Sequence, residues 1–145
     1  MANFELPKGM AGFVDHIGIA VVNLDESVKL YRDLLGLTLE SIETVEREQG
    51  KVAILKLDNS GGCGHLELLE PMSPESNIGI FIEKKGAGMH HIAFRAENIS
   101  DAIAACKDAG LKMLSEEPMS GAHGKKVVFA HPKTTGGVLV EICAV

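Results

Sequence analysis

The sequence predicts an α+β protein built from two tandem βαβββ modules. Two segments carry this prediction, HIGIAVVNLDESVKLYRDLLGL from His16 and HIAFRAENISDAIAACKDAGL from His91. Each begins with His-Ile, has an asparagine seven residues after the histidine, and reaches a glycine after an amphipathic helical stretch. Agreement in register over such a length indicates a duplicated structural unit. Strand-like runs follow each segment and complete the βαβββ pattern.

The first module is predicted over about residues 14–71. Its first strand is Val14–Val21, which is rich in apolar and β-branched residues. Asn23 or Asp25 can cap the helix that follows, and Gly36 suits the position just past its end. The apolar residues of this helix keep helical spacing, at Leu24, Val28, Tyr31 and Leu35. Three further strands are predicted, at Leu39–Val45, Lys51–Leu57 and His65–Glu70.

The second module repeats this order over about residues 88–143. Its first strand is His90–Ala96, its helix can be capped by Asn98 or Ser100, and Gly110 suits the helix end. Its other strands are predicted at Leu111–Leu114, Lys126–His131 and Val138–Cys143. Between the modules, about residues 73–86 are predicted to hold a short helix that buries Ile78, Phe81 and Ile82. Residues 1–145 are expected to form one domain.

Composition narrows the function classes. The chain has 145 residues, 46% hydrophobic and 23% charged, which is ordinary for a soluble globular protein. A net charge of −6 argues against a general nucleic-acid binder, and no apolar run is long enough to predict a membrane span. The N-terminus shows no targeting pattern, and the three cysteines match no CxxC motif. We therefore expect a reducing compartment, the bacterial cytoplasm or, for a mature chain, the mitochondrial matrix.

Each predicted module carries a histidine on its first strand and a glutamate on its last. Glu67 follows His16 by 51 residues, and Glu141 follows His91 by 50. Side chains alternate along a strand, so each carboxylate points away from its apolar neighbours, which is costly unless it is paired or binds a metal. The sequence therefore predicts that these four residues share one divalent cation. Imidazole and carboxylate suit zinc, cobalt, manganese, nickel or iron, and four protein ligands leave positions open for a substrate.

Other interpretations of these residues remain. His16 taken alone is typical of a structural histidine, and glutamates on a half-exposed sheet often face solvent. His90 competes with His91, because adjacent strand residues point to opposite faces, and the repeat register favours His91. His65 lies two residues before Glu67 and can share its face, as a neighbour of the ligands or as a rival ligand. Two other histidines lie outside the repeat pattern, His123 and His131.

The pattern of paired βαβββ units around a metal resembles the vicinal oxygen chelate superfamily, which includes glyoxalase I and the methylmalonyl-CoA epimerases. From about Val14 to Glu141 the chain is similar to the epimerases in particular. The phrases that carry this resemblance are DHIGIAV, LELLEP, GMHHIAFR, SEEPMSGAHGKK and HPKTTGGVLVE. The resemblance implies one glyoxalase-type domain with a metal site in a curved sheet. It also implies His16, Glu67, His91 and Glu141 as the metal ligands.

The same resemblance implies a function. It is the interconversion of (2R)- and (2S)-methylmalonyl-CoA, in propionate metabolism, by removal of the C2 proton through a metal-stabilised enolate. Glu141 is expected to act as one base. The expected cofactor is cobalt(II), with manganese, nickel, zinc or magnesium as alternatives, and the expected assembly is a homodimer that binds neither nucleic acid nor membrane. The loop Gly121–Lys126 can bind the substrate carboxylate, and Lys125 or Lys126 the phosphates of coenzyme A.

One departure from the family pattern concerns the second base. Several bacterial members place a second catalytic glutamate on the strand that follows an EQG turn. Here the turn is Glu48-Gln49-Gly50, and the expected acidic position is Val52. Either the second proton comes from Glu48, His65 or a bound water, or this member works differently.

Two other functions fit the same scaffold. One is a glyoxalase I-like lyase, whose metal ligands are similar. The other is a metal-free protein that binds small molecules, a class that typically lacks the full His/Glu set. The similarity of whole phrases and the intact set favour the epimerase.

Overall fold

The computed structural model describes residues 5–46 and 49–145 of the chain. The strands are β1 Met10–Ala20, β2 Leu39–Val45, β3 Gly50–Lys56, β4 His65–Pro71, β5 Gly88–Ala96, β6 Met119–Ser120, β7 Lys126–Ala130 and β8 Val140–Ala144. The α-helices are α1 Leu24–Val28, α2 Asn77–Lys85 and α3 Ile99–Asp108. A π-helical segment, Lys29–Leu34, continues α1, and two 3-10 turns lie at Ala122–Gly124 and Pro132–Thr134.

The chain divides into two compact units. The first unit is His16–His91, and the second combines the residues up to Asp15 with Ile92–Val145. The boundaries between them fall inside β1 and β5, immediately before His16 and immediately after His91.

In the first unit the strand order is β2-β3-β4-β1. β1 runs parallel to β4, and β3 is antiparallel to both β2 and β4. Helix α1 begins at Asn23, whose side chain accepts a hydrogen bond from the Glu26 amide at 3.0 Å. The helix packs on one face of the sheet in a core of Val21, Leu24, Val28, Ala53, Leu55, Leu66 and Leu68. The opposite face of the sheet carries buried residues of both kinds, the apolar Val52, Ile54 and Leu69 and the polar His16 and Glu67.

The second unit has the corresponding order β5-β8-β7-β6. β5 runs parallel to β8, and β7 is antiparallel to its two neighbours. Helix α3 begins at Asn98, which accepts from the Asp101 amide at 3.0 Å. This helix contributes to a core of Ala96, Ala102, Ile103, Val128, Ile142 and Ala144. The α+β class and the repeated βαβββ order are confirmed.

Three details of the prediction are wrong. The first helix is not one α-helix, since its second half, Lys29–Leu34, is π-helical. The run Leu111–Leu114 forms only a single bridge, from Met113 to Ala130, and the short strand that pairs with β7 is Met119–Ser120. Pro118, which has no backbone donor, lies between this bridge and that strand. The last strand starts at Val140, because Gly136 and Gly137 adopt positive φ angles of 75° and 96° in a turn before it.

Helix α2, Asn77–Lys85, lies within the segment predicted as the linker. Ser76 caps it by accepting from the Gly79 amide at 3.1 Å, and Ile78 is buried while Phe81 and Ile82 are half-buried. None of the helices in the described ranges has the length and apolar character needed to cross a membrane.

Candidate metal centre

Three of the four predicted ligands meet inside the first unit. The Nε2 atom of His16 lies 3.0 Å from Nε2 of His91, and its Nδ1 atom lies 3.0 Å from a carboxylate oxygen of Glu67. All three residues are buried, with exposed fractions of 4% for His16 and 6% for the other two. A buried carboxylate and two imidazoles in contact form a cluster of the donor types that transition metals bind.

The strand register places these residues. In the parallel pair of β1 and β4, Glu67 lies opposite Gly18, the second residue after His16. Leu66 and Leu68 point to the other face, where they join the core under α1. Period-two alternation therefore puts His16 and Glu67 on one face of the sheet.

The same register recurs in the second unit. In the parallel pair of β5 and β8, Glu141 lies opposite Ala93, the second residue after His91. Glu141 is buried, with 4% of its surface exposed, and Phe129 of β7 lies on its other side. The histidine–glutamate spacing noted in the sequence is thus the same strand register in both halves of the chain.

A glycine on β1 makes room for His91. A Cβ atom added to Gly18 would lie 2.8 Å from Nε2 of His91 and closer still to two other atoms of its ring. Any side chain at this position would push the imidazole away from His16. The absence of a side chain at Gly18 therefore leaves the space in which the His91 ring lies, with its Nε2 atom next to that of His16.

The electrostatics of the cluster favour neutral imidazole. Burial, followed by repulsion from His16 and His90, holds the pKa of His91 well below its usual range. Burial and the nearby Lys85 ammonium lower the pKa of His90 to about 4. A neutral imidazole keeps a nitrogen lone pair, which is the form that binds a metal.

The donor geometry fits a metal ion. Two nitrogens that each bound one ion at about 2.1 Å would lie at most about 4.2 Å apart. The two Nε2 atoms are 3.0 Å apart, which is within this limit. Glu67 instead contacts the far nitrogen of His16, as carboxylates do when they orient a ligating imidazole. To bind an ion beside His91, the Glu67 carboxylate would have to turn toward the Nε2 side.

The remaining histidines have other partners. His90 lies with its Nδ1 2.9 Å from Nδ1 of His91 and its ring edge-on to Phe81. His65 binds Glu40 at 2.9 Å. His131 accepts from the Lys133 amide at 3.1 Å, and His123 lies in the 3-10 turn of the Gly121–Lys126 loop.

An ion cluster that the sequence did not predict lies in the second unit. Asp15, with 1% of its surface exposed, binds Arg95 at 2.6 Å through two guanidinium nitrogens and Lys125 at 2.6 Å. Lys125 is itself buried, whereas Lys126 is exposed. Through Lys125 and Asp15, this cluster connects the Gly121–Lys126 loop to β1. An acidic residue inside the strand-like phrase DHIGIAV was the signal for it.

The position of the expected second base is apolar in the structure as well. Val52 is buried, with 2% of its surface exposed, between Glu43 on β2 and Leu69 on β4. Glu48, one of the alternatives, lies outside the described residues.

Residues 15–129 match the family model of the glyoxalase/bleomycin resistance protein/dioxygenase superfamily. The chain belongs to this superfamily. Two epimerases are similar to this chain over most of its length. Methylmalonyl-CoA epimerase, mitochondrial, of Mus musculus is 37% identical over 94% of this chain and 75% of that protein. Ethylmalonyl-CoA/methylmalonyl-CoA epimerase of Cereibacter sphaeroides is 38% identical over 92% of this chain and 98% of that protein.

A solved structure of the superfamily confirms the fold. Streptomyces coelicolor methylmalonyl-CoA epimerase, in complex with 2-nitronate-propionyl-CoA, superposes with a TM-score of 0.84 at 38% identity. The match covers 90% of this chain and 95% of that one. The resemblance stated from the sequence is therefore confirmed for the family and for the fold.

Proposed function

We propose that this protein is a metal-dependent epimerase that interconverts (2R)- and (2S)-methylmalonyl-CoA. The observation that carries the proposal is the buried contact of His16 with His91 and Glu67. The register that places Glu67 recurs at Glu141, which we propose as the fourth ligand. The two relatives named above are epimerases of methylmalonyl-CoA and of ethylmalonyl-CoA/methylmalonyl-CoA, and their names support the reaction class.

The proposed chemistry is proton transfer at C2. When bound, a divalent cation supplies Lewis acidity that stabilises negative charge on a carbonyl oxygen of the substrate. Glu141 accepts the C2 proton, and the electron pair of the broken C–H bond moves toward the thioester oxygen. Return of a proton to the other face of C2 completes the inversion. Burial excludes water and strengthens each of these electrostatic interactions.

Lysines and the loop are proposed to hold the rest of the substrate. Lys125 and Lys126 are the two candidates for binding the coenzyme A phosphates. Because Lys125 forms a salt bridge with Asp15, we assign this role to the exposed Lys126. The Gly121–Lys126 loop is proposed to bind the free carboxylate through backbone amides. Cobalt(II) as the resident ion, a homodimeric assembly and a cytoplasmic location are part of the same proposal.

A paired assay tests the function. We expect turnover of methylmalonyl-CoA and none of the methylglyoxal–glutathione hemithioacetal. The opposite result would favour the lyase. No turnover of either, with no metal bound to the purified protein, would favour a binding protein.

The role of Glu141 has a separate test. In deuterated water the protein should introduce deuterium at C2 of methylmalonyl-CoA, and Glu141→Gln should lose this exchange by at least about 100-fold. Exchange that continues undiminished in Glu141→Gln would remove this residue from proton transfer.

A further inference from the structure

We propose that His90 is a positioning residue of the metal centre, which accepts a hydrogen bond from Nδ1 of His91 so that Nε2 of His91 keeps its lone pair for the ion. This inference rests on the proposed function, because that function includes the binding of the ion by His91. His90 and His91 both lie in the first unit, together with His16 and Glu67.

The two adjacent histidines of β5 contact each other through their nitrogens. Nδ1 of His90 lies 2.9 Å from Nδ1 of His91, a distance typical of a hydrogen bond. The ring centroids are 5.2 Å apart, and the ring planes are nearly perpendicular, at 88°. The two rings are therefore not stacked, and the nitrogens are the atoms that meet.

The chemistry of imidazole sets the direction of this hydrogen bond when an ion is bound. A neutral imidazole has one N–H donor and one nitrogen with a lone pair. If Nε2 of His91 binds the ion, the hydrogen of that ring is on Nδ1, and this nitrogen donates. Nδ1 of His90 then accepts, and the hydrogen of His90 is on its Nε2. An acceptor at this position fixes the tautomer of a ligating imidazole and raises its basicity.

The surroundings of His90 hold its ring and keep it neutral. The ring of Phe81, on α2, lies edge-on to it, with the two centroids 4.8 Å apart. The ammonium group of Lys85, four residues further along α2, lies 6.0 Å from the centroid of the Phe81 ring. Partial burial and a nearby cation both disfavour a positive charge on His90. A neutral His90 keeps the lone pair that the acceptor role needs.

With this contact, each of the two ligating histidines has a partner on its Nδ1 side. For His16 the partner is Glu67, with a carboxylate oxygen 3.0 Å from Nδ1. The internal repeat does not account for a histidine at position 90, because the corresponding residue before His16 is the acidic Asp15. The contact with a ligand therefore explains this histidine better than the duplicated fold does.

The first test compares the cobalt(II) affinity of the wild type with that of His90→Phe. The phenyl ring keeps the packing against Phe81 but has no nitrogen to accept the hydrogen bond. We expect the dissociation constant for cobalt(II) to rise by at least about 10-fold, the lower end of the usual effect of losing such a partner. The visible absorption of bound cobalt(II) measures the affinity, and thermal unfolding shows whether the variant is folded.

Two further variants are the controls. His90→Asn returns a carbonyl oxygen near the position of Nδ1, so it should recover most of the affinity. His131→Phe makes the same change as His90→Phe at a histidine that caps a 3-10 turn, and it should leave cobalt(II) binding unchanged.

A spectroscopic test needs no substitution. In zinc-loaded wild type with ¹⁵N-labelled histidine, the two nitrogens of an N–H···N hydrogen bond share a measurable ¹⁵N–¹⁵N coupling. We expect this coupling between Nδ1 of His91 and Nδ1 of His90, with the hydrogen on His91. No coupling, or a hydrogen on Nδ1 of His90, would overturn the inference even if His90→Phe failed to fold.

The outcomes separate this inference from the proposed function. If the wild type binds neither cobalt(II) nor zinc, both fall. If it binds the ion but does not epimerise methylmalonyl-CoA, the proposed function falls, and the affinities of the variants still decide the role of His90. If folded His90→Phe matches the affinity of the wild type, only the role of His90 falls. If folded His90→Phe and His90→Asn lose affinity equally, the acceptor is not what matters, which also overturns the inference.

Discussion

His16 is the residue at which the centre is organised, because each of its ring nitrogens has a different buried partner. Glu67 fixes the Nδ1 side, and His91 lies against Nε2. A hydrogen bond from one imidazole nitrogen to a carboxylate sets which nitrogen keeps a lone pair. The contact with Glu67 thus presents Nε2 of His16 toward His91.

Gly18→Ala tests the space that this arrangement needs. The new methyl group would overlap the ring of His91. Overpacking of this kind costs about 1–3 kcal/mol of unfolding free energy, and displacement of a ligating ring should weaken metal binding by at least about 10-fold. Urea unfolding and a metal titration measure the two effects.

Gly36→Ala is the matched control. Gly36 has a positive φ of 86° and no atom within 4 Å of an added Cβ. The substitution should cost stability through the backbone while metal binding is unchanged. Equal loss of metal in both variants would mean that Gly18 acts through general destabilisation.

Asp15→Asn tests the ion cluster. The substitution leaves Arg95 and Lys125 without their shared carboxylate in a buried position, and we expect a loss of about 3–5 kcal/mol of unfolding free energy. Lys125→Met should cost less, because Asp15 keeps both contacts with Arg95. Asp101→Asn is the control, since its contact with Lys8 is long, at 3.8 Å, and exposed. A loss below about 1 kcal/mol in Asp15→Asn would show that the cluster contributes little.

At the scale of the elements, the two helices start in the same way. Asn23 and Asn98 each accept a hydrogen bond at 3.0 Å from the amide three residues later. The sequence left Asp25 and Ser100 as rival caps, because both residue types are good at this position. Only the backbone conformation, extended at both asparagines, separates the candidates.

Asn98→Ala should therefore lower the unfolding free energy by about 1 kcal/mol. Ser100 is the second residue of the helix. Ser100→Ala should therefore change the unfolding free energy by less than about 0.5 kcal/mol. Chemical denaturation of the two variants gives the comparison. A larger effect at Ser100 would show that the helix starts later than described.

Elements differ in how well the sequence predicts them. Strands with a continuous apolar run, such as β3 with Val52–Leu55, were predicted to within one residue at each end. The run Leu111–Leu114 looked equally strand-like, yet it makes only a single bridge to β7, because pairing depends on tertiary partners that a local pattern does not contain.

At the scale of the whole molecule, the prediction of the site rests on the duplication. A histidine alone is weak evidence for a ligand, but the repeat gave two histidines and two glutamates at one spacing. The structure turns that spacing into one strand register, Gly18 opposite Glu67 and Ala93 opposite Glu141. The Asp15–Arg95–Lys125 cluster could not be predicted in this way, because its members are far apart in the chain and are not repeated.

A metal titration of the purified chain tests the central claim most directly. We expect close to one equivalent of a transition metal per chain, lost in His91→Ala and retained in His131→Ala, whose imidazole caps a 3-10 turn. Cobalt(II) gives an absorption spectrum that reports the binding without any assay of activity. Stoichiometric binding that survives in His91→Ala, or none in the wild type, would contradict the account.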